Sequence, residues 1–271
     1  MIYLHIYNGQ NMRKIFLILG LLAFAMAAAA QSLTYDRKVF TASDGTDLNY
    51  RMLSPDENAK GKKFPLVIFM HGLGERGNDN EKQLLHGGQM FLNPVVREKY
   101  PSYVVFPQCP ETAFWAYDQI PASFDDLKKE DKMPAPFNAV KELIDNFLTY
   151  PDVDPARIYI MGLSMGGMAT FDMVSRFPDI FAAAIPICGS VEAYRLKDIE
   201  GVSFRIYHGD ADQTVPVECS RIAYKALKDA GVDVEYFEFP GCGHGSWNPA
   251  FTCPDFLEWL FKQKKSRKYL R

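Results

Sequence analysis

The segment Ile158-Tyr-Ile-Met-Gly-Leu-Ser-Met-Gly-Gly-Met168 is the part of the sequence most informative about the fold. An apolar run leads into a Gly-x-Ser-x-Gly motif, Gly162 to Gly166, and a helical pattern follows at once. Glycine on both sides of Ser164 lets the backbone turn sharply from strand to helix, which lifts the hydroxyl above the sheet. The helix N-terminus favours negative charge at the same point. We therefore predict that Ser164 is a nucleophile and that the amide of Met165 stabilises an oxyanion.

On both sides of this stretch, short apolar runs alternate with helical patterns. The alternation is typical of an α/β fold with a mostly parallel central sheet and helices on both faces. The predicted strands of that sheet are Pro65–Met70, Tyr103–Phe106, Arg157–Met161, Phe181–Ile187, Phe204–Tyr207 and Val234–Phe239. The predicted helices are Lys82–Lys99, Phe137–Thr149, Met165–Arg176, Val217–Ala230 and Pro254–Lys264. Leu33 to Thr41 and Leu48 to Met52 predict an antiparallel pair at the sheet edge.

The N-terminus has the order of an export signal. Arg13 and Lys14 precede the apolar run Ile15 to Ala27, and small residues follow. We expect cleavage near Ala30/Gln31, because the run is short for a membrane anchor and no basic residues flank its end. A translation start at Met12 would place the charged part at the beginning of the signal.

The remaining chain, residues 31–271, is expected to form a single catalytic domain, since no repeat or low-complexity linker interrupts it. Such a protein would be secreted or periplasmic, with no membrane span after removal of the signal. Loss of residues 1–30, which hold two basic and no acidic side chains, takes the net charge from −3 to −5. Without a cluster of basic residues in its body, the chain is not expected to bind nucleic acid.

A serine nucleophile needs a base, and at neutral pH histidine is the usual one. His71 ends the first buried run, His86 is expected on a solvated helix face, and His208 closes another buried run. His244 follows the last strand in the glycine-rich Gly241-Cys-Gly-His-Gly-Ser-Trp247, where a side chain can reach back over the sheet. We therefore choose His244 as the base.

A carboxylate usually orients such a base. His208-Gly-Asp-Ala-Asp-Gln-Thr-Val-Pro216 offers both Asp210 and Asp212, and the spacing alone does not choose between them. Either would give the order Ser, Asp, His along the chain. The glycine-rich turn after the first buried strand, His71-Gly-Leu-Gly74, makes the amide of Leu73 the second candidate donor to an oxyanion.

Together these segments resemble the α/β-hydrolase superfamily over the whole mature chain. The motifs that carry the resemblance are His71-Gly-Leu-Gly-Glu-Arg-Gly77, Pro107-Gln-Cys-Pro110 with Trp115, Gly162-Leu-Ser-Met-Gly-Gly167, His208-Gly-x-x-Asp212-x-x-Val-Pro216 and Gly243-His-Gly-Ser-Trp247. More narrowly, they resemble secreted single-domain esterases of the feruloyl and acetyl-xylan esterase, polyhydroxybutyrate-depolymerase-like and predicted-peptidase group. The resemblance implies that Asp212, not Asp210, is the acid of a Ser-His-Asp triad. It also implies a carboxylesterase acting on small or polysaccharide-linked feruloyl or acetyl esters.

Two alternatives remain open: a serine peptidase of the prolyl-oligopeptidase-like group, and an inactive binding protein with the same fold. Trp115 and Trp247 are predicted to line the substrate pocket, because amphipathic aromatics suit aromatic acids and sugar faces. Trp115 belongs to the irregular segment 110–136, the best candidate for a loop over the site. No cofactor is implied. The cysteines and histidines lack metal-ligand spacing, so no metal site is expected.

Overall fold

The computed structural model describes residues 34–55, 62–117 and 132–269. Their strands form one sheet in the order β1-β2-β4-β3-β5-β6-β7-β8. The strands are β1 Asp36–Thr41, β2 Asp47–Leu53, β3 Phe64–Met70, β4 Tyr103–Pro107, β5 Val153–Leu163, β6 Ala183–Ile187, β7 Ser203–Gly209 and β8 Val234–Phe239. β2 runs antiparallel to both β1 and β4, and all other neighbours are parallel. The predicted fold, a mostly parallel sheet with an antiparallel edge, is confirmed.

Helices cover both faces of the sheet because the central strands are apolar on both. Leu66 and Ile68 enter one core, and Val67 and Phe69 enter the other, all four with 0% exposure. The helices are α1 Gly88–Leu92, α2 Pro94–Lys99, α3 Ala135–Leu148, α4 Met165–Arg176, α5 Val217–Asp229, α6 Trp247–Phe251 and α7 Phe256–Lys262. Residues of α3, α4 and α5 fill the first core, and residues of α1, α6 and α7 fill the second.

The helix expected over Lys82–Lys99 is broken into three pieces. A 3-10 turn at Lys82–Leu84 precedes α1, and the two are separated by Gly87, whose φ is +82°. At the next break, the side chain of Asn93 accepts a hydrogen bond from the amide of Val95 and so begins α2. Proline follows directly at the first helical position. The spacing of the apolar residues continues across these breaks, so it predicted one helix.

The helix expected over Pro254–Lys264 is confirmed in part, as α7. The sequence did not predict α6, which begins three residues after His244 and is five residues long. A helix this short shows less than two turns of periodicity, so its apolar pattern cannot be distinguished from that of a loop. Its position nevertheless matters, because it carries Trp247 beside the loop of His244.

The carboxyl ends of β3, β5, β7 and β8 lie on the same side of the sheet. The segments that directly follow these strands carry every predicted site residue except Trp115. The described residues from Tyr35 onward form one compact unit. The predicted signal, residues 1–30, lies outside the described residues, as does the part of the 110–136 loop between 118 and 131. No helix within the described ranges has the length and apolar character needed to cross a bilayer.

Candidate active site

Ser164 lies at the turn between β5 and α4 with φ 53° and ψ −119°, a conformation that costs energy for any residue but glycine. Its amide donates to the carbonyl of Ile187 at 2.9 Å, which fixes the turn against β6. The flanking glycines are needed for close approach. A Cβ on Gly162 would collide with the carbonyl of Gly166, and a Cβ on Gly166 would collide with that of Met70. The strained geometry is therefore built into the packing of two strands and a helix.

Two hydrogen bonds join Ser164, His244 and Asp212 in a row. Ser164 Oγ lies 2.9 Å from His244 Nε2, and His244 Nδ1 lies 2.7 Å from Asp212 Oδ2. An ionised carboxylate can only accept, so Nδ1 carries the imidazole proton and Nε2 is left to accept from the serine hydroxyl. His244 is half-buried, whereas the Asp212 side chain has no exposed surface.

Four donors surround the carboxylate of Asp212. Oδ1 accepts from the amides of Thr214 at 2.8 Å and Val215 at 3.0 Å, and Oδ2 is shared by His244 and His208. Burial by itself would raise the pKa of Asp212, but hydrogen bonds from these partners outweigh it and hold that pKa well below its usual range. Asp212 is therefore an anion across the physiological pH range.

The loops that carry Asp212 and His244 are joined by hydrogen bonds. Asp210 Oδ1 accepts from the amide of Gly241 at 2.6 Å, and the amide of Ala211 donates to the carbonyl of Cys242 at 3.0 Å. A Cβ on Gly209 would collide with that same carbonyl. Asp210 is exposed, and its carboxylate joins the two loops through Gly241, whereas Asp212 contacts His244.

Leu73 and Met165 stand at the starts of two helical turns. Met165 opens α4, and Leu73 opens a 3-10 turn, Leu73–Glu75; first-turn amides have no acceptor within their own helix. His71 supports the turn that begins at Leu73. Its Nδ1 donates to the carbonyl of Gly72 at 2.6 Å, while its Nε2 accepts from the amide of Cys109 at 3.0 Å. Burial lowers the pKa of His71 to about 4. A neutral imidazole thus holds the loop.

The two tryptophans occupy different places. Trp115 is fully buried and donates its indole N–H to the carbonyl of His71 at 3.2 Å, so its ring has no surface to offer a substrate, in contrast to the expectation from the sequence. Trp247 is partly exposed and lies edge-on to His244, with ring centroids 5.6 Å apart. Trp247 also lies beside His86, with ring centroids 5.0 Å apart, so His86 is part of the site's surroundings and not on a solvated helix face.

Cys188 was not singled out by the sequence, yet its thiol lies within 4.8 Å of ligand atoms of Asp212 and His244. Burial raises the pKa of this thiol to about 12, and the other two groups are engaged in hydrogen bonds, so the cluster presents no thiolate to a metal. Cys188 itself has a positive φ, 41°, and it follows Ile187, whose carbonyl accepts from the amide of Ser164, so it lies directly beside the strained serine turn. All five cysteines lie within the described residues, and none forms a disulfide.

Comparison with known proteins agrees with this geometry. Residues 56–253 match the model of the family described as Phospholipase/Carboxylesterase. The chain belongs to the phospholipase/carboxylesterase family. It is a serine ester hydrolase with an α/β-hydrolase fold, as the motifs predicted.

Two curated relatives and one solved structure illustrate the likeness. A probable carboxylesterase of Arabidopsis thaliana, described as SOBER1-like, is 28% identical over 210 residues, which cover 73% of this chain and 78% of the relative. An uncharacterized secreted protein of Arthroderma benhamiae is 26% identical over 75% of this chain, but the match covers only 23% of the relative. The crystal structure of a thermostable esterase is 34% identical with a TM-score of 0.79; the match covers 86% of this chain and 64% of that one.

Proposed function

We propose that the protein is an exported serine carboxylesterase in which Ser164 is the nucleophile, His244 the general base and Asp212 the acid that orients it. One observation carries the assignment: the continuous row of hydrogen bonds from Ser164 Oγ through both nitrogens of His244 to Asp212 Oδ2. That is the arrangement in which the imidazole can take a proton from the serine while the carboxylate stabilises the imidazolium that forms.

In the first half of the reaction, Ser164 Oγ attacks the ester carbonyl carbon as its proton moves to His244 Nε2. The carbonyl oxygen becomes an oxyanion, for which the amides of Met165 and Leu73 are the proposed donors. Collapse of this intermediate breaks the bond to the alcohol oxygen, which leaves with the proton from Nε2. Water then repeats the sequence on the acyl-serine, releasing the acid and restoring the Ser164 hydroxyl.

For the substrate, we infer a feruloyl or acetyl ester carried by a polysaccharide. The support is the set of motifs shared with esterases of that group, together with the position of Trp247. Its partly exposed ring next to His244 can stack on an aromatic acid or a sugar face. An ester is favoured over a peptide because an alkoxide leaves more easily than an amine, which must be protonated.

A substrate panel tests this assignment. Feruloyl, acetyl and p-nitrophenyl esters should be hydrolysed and a peptide p-nitroanilide should not, with Ser164→Ala as the inactive control. Trp247→Ala should raise KM for methyl ferulate more than for methyl acetate, because only the former offers a ring to stack on. A faster rate on the p-nitroanilide would favour the peptidase alternative, and equal KM changes would remove Trp247 from the binding surface.

Export is the remaining part of the proposal. It rests on the basic, apolar and small-residue order that ends near Ala30, and on the secreted relative of similar sequence. Mass spectrometry of the protein recovered from outside the cytoplasm should find Gln31, or a residue close to it, at the N-terminus. Recovery of protein that still carries residues 15–27 would contradict cleavage.

A further inference from the structure

His208 is a fully buried histidine at the end of β7 that the reaction described above does not use. Its imidazole makes three close contacts. Nδ1 lies 2.7 Å from Ser220 Oγ on α5, and Nε2 lies 3.2 Å from Asp212 Oδ2 and 3.0 Å from the carbonyl of Val215. The ring therefore spans from a helix to the carboxylate of the proposed triad.

These contacts decide which nitrogen carries the proton. Both neighbours of Nε2, a carboxylate and a backbone carbonyl, can only accept, so Nε2 must be a donor. Ser220 can donate its hydroxyl proton to Nδ1. His208 thus directs an N–H at the same oxygen, Asp212 Oδ2, that accepts from His244.

We propose that His208 is a positioning residue for ester hydrolysis, which fixes Asp212 Oδ2 in the direction of His244; this inference rests on the proposed function. With Oδ1 pinned by the amides of Thr214 and Val215, the bond from His208 prevents the carboxylate from rotating away. It also stabilises the negative charge on the oxygen that must accept from His244. His208 reaches no reacting atom and acts through Asp212 alone.

No neighbouring charge replaces this contact among the described residues. Besides His244, the thiols of Cys188 and Cys242 lie near Asp212, and burial raises the pKa of each, so both stay uncharged at neutral pH. Asp210, two residues away, is an acceptor whose carboxylate is bound to the amide of Gly241. Glu238 lies opposite His208 on β8, but its carboxylate is held by Arg221 at 2.6 Å, which keeps its pKa low, at about 2. His208 is thus the donor that meets Asp212 from β7.

Two substitutions at His208 test the contacts of its two ring nitrogens separately. The amide nitrogen of glutamine reaches the position of Nε2, whereas that of asparagine reaches only the position of Nδ1. His208→Gln should therefore keep the contact to Asp212 and lose the one to Ser220, and His208→Asn should do the reverse. We expect kcat for p-nitrophenyl acetate to fall about 10- to 100-fold in His208→Asn, the range for losing a hydrogen bond to a charged group, with KM unchanged. His208→Gln should recover most of that loss. Equal kcat in the two folded variants would overturn the proposal.

A double-mutant cycle tests whether His208 acts through Asp212. In the background of Asp212→Asn, His208→Asn should cause no further fall in the labelling rate of Ser164 by a fluorophosphonate, since the group it positions is gone. A further fall as large as in the wild type would overturn the proposal, because a general packing role predicts additive losses. If Ser164→Ala stays active, the proposed function fails instead, so the two failures are distinguishable.

A third measurement needs no change at His208 and remains available if His208→Asn does not fold. Nuclear magnetic resonance of imidazole protons in the wild type should show an exchange-protected Nε2–H of His208. In Asp212→Asn this resonance should move, because its proton is hydrogen-bonded to Asp212 Oδ2 in the wild type. A His208 resonance that does not move would overturn the contact.

Discussion

Asp210 and Asp212 lie two residues apart, yet their carboxylates have different surroundings. Asp212 is enclosed by four donors and meets His244, while Asp210 is exposed and accepts from the amide of Gly241. Asp212→Asn should lower kcat by roughly 10⁴, because an amide favours the wrong tautomer of His244 and cannot stabilise the imidazolium. Asp210→Asn is the matched control, and should cost about 0.5–2 kcal/mol of stability with little change in kcat. If Asp210→Asn were the inactive variant, the acid would have to be reassigned.

The buried imidazole of His71 makes the stability of the fold depend on pH. Burial lowers its folded pKa to about 4, below the value of about 6.5 expected when unfolded. Between these values the unfolded chain binds a proton at His71 that the folded chain does not. The contribution of His71 to the free energy of unfolding is therefore fully present above pH 6.5 and is lost as the pH falls towards 4. The loss should be about 3 kcal/mol, measured by denaturant unfolding.

His71→Gln supplies the control for that prediction. A glutamine side-chain oxygen can still accept from the amide of Cys109 but does not titrate. The difference in stability between pH 7 and pH 4 should therefore be smaller in the variant. The same difference in both proteins would show that another group carries the pH dependence.

The histidines also show what the sequence could and could not predict. His244 was selected because it stands in a glycine-rich loop after the last strand, and the structure places it between Ser164 and Asp212. His208 carried no such signal, since a histidine at the end of a buried strand looks the same whether it fills space or donates to a carboxylate. Its role follows from the positions of Ser220 and Val215, which sequence spacing does not give.

At the scale of elements, the turn from β5 to α4 depends on glycines that leave no room for a side chain. Gly162→Ala should destabilise the fold by at least about 1–3 kcal/mol, because the new Cβ meets the backbone of both Gly166 and β3. Gly74→Ala is the control: a Cβ there has no neighbour within 4 Å, so its thermal midpoint should stay close to that of the wild type. Equal midpoints in the two variants would contradict the packing described for this turn.

The elements differ in how well the sequence predicted them. Met165–Arg176 was predicted with the bounds of α4, because the glycine turn sets its start and its apolar positions recur over three turns. Lys82–Lys99 was wrong as a single helix, since Gly87 takes a left-handed conformation packed against Phe69. That contact belongs to the tertiary structure, and the local pattern gave no sign of it.

On the scale of the whole molecule, the site exists only when the sheet is complete. Ser164 follows β5 in the middle of the sheet, Asp212 follows β7, and His244 follows β8 at the edge. Gly209 lets the last two loops approach, and backbone hydrogen bonds between them hold His244 over Ser164. The order of motifs along the sequence predicted which loops would meet, but the distances within the site depend on how the strands pair.

Active-site labelling is the most direct test of whether Ser164 is the nucleophile. A fluorophosphonate should react with the native protein at a single residue, and peptide mass spectrometry should place the adduct on Ser164, because this hydroxyl is hydrogen-bonded to an imidazole that a carboxylate orients. Ser220 also contacts an imidazole, that of His208, but it is fully buried and should not react. Ser164→Ala should take up no label and lose several orders of magnitude in kcat while keeping its thermal midpoint. An adduct on another residue, or near-normal turnover by folded Ser164→Ala, would show that Ser164 is not the nucleophile.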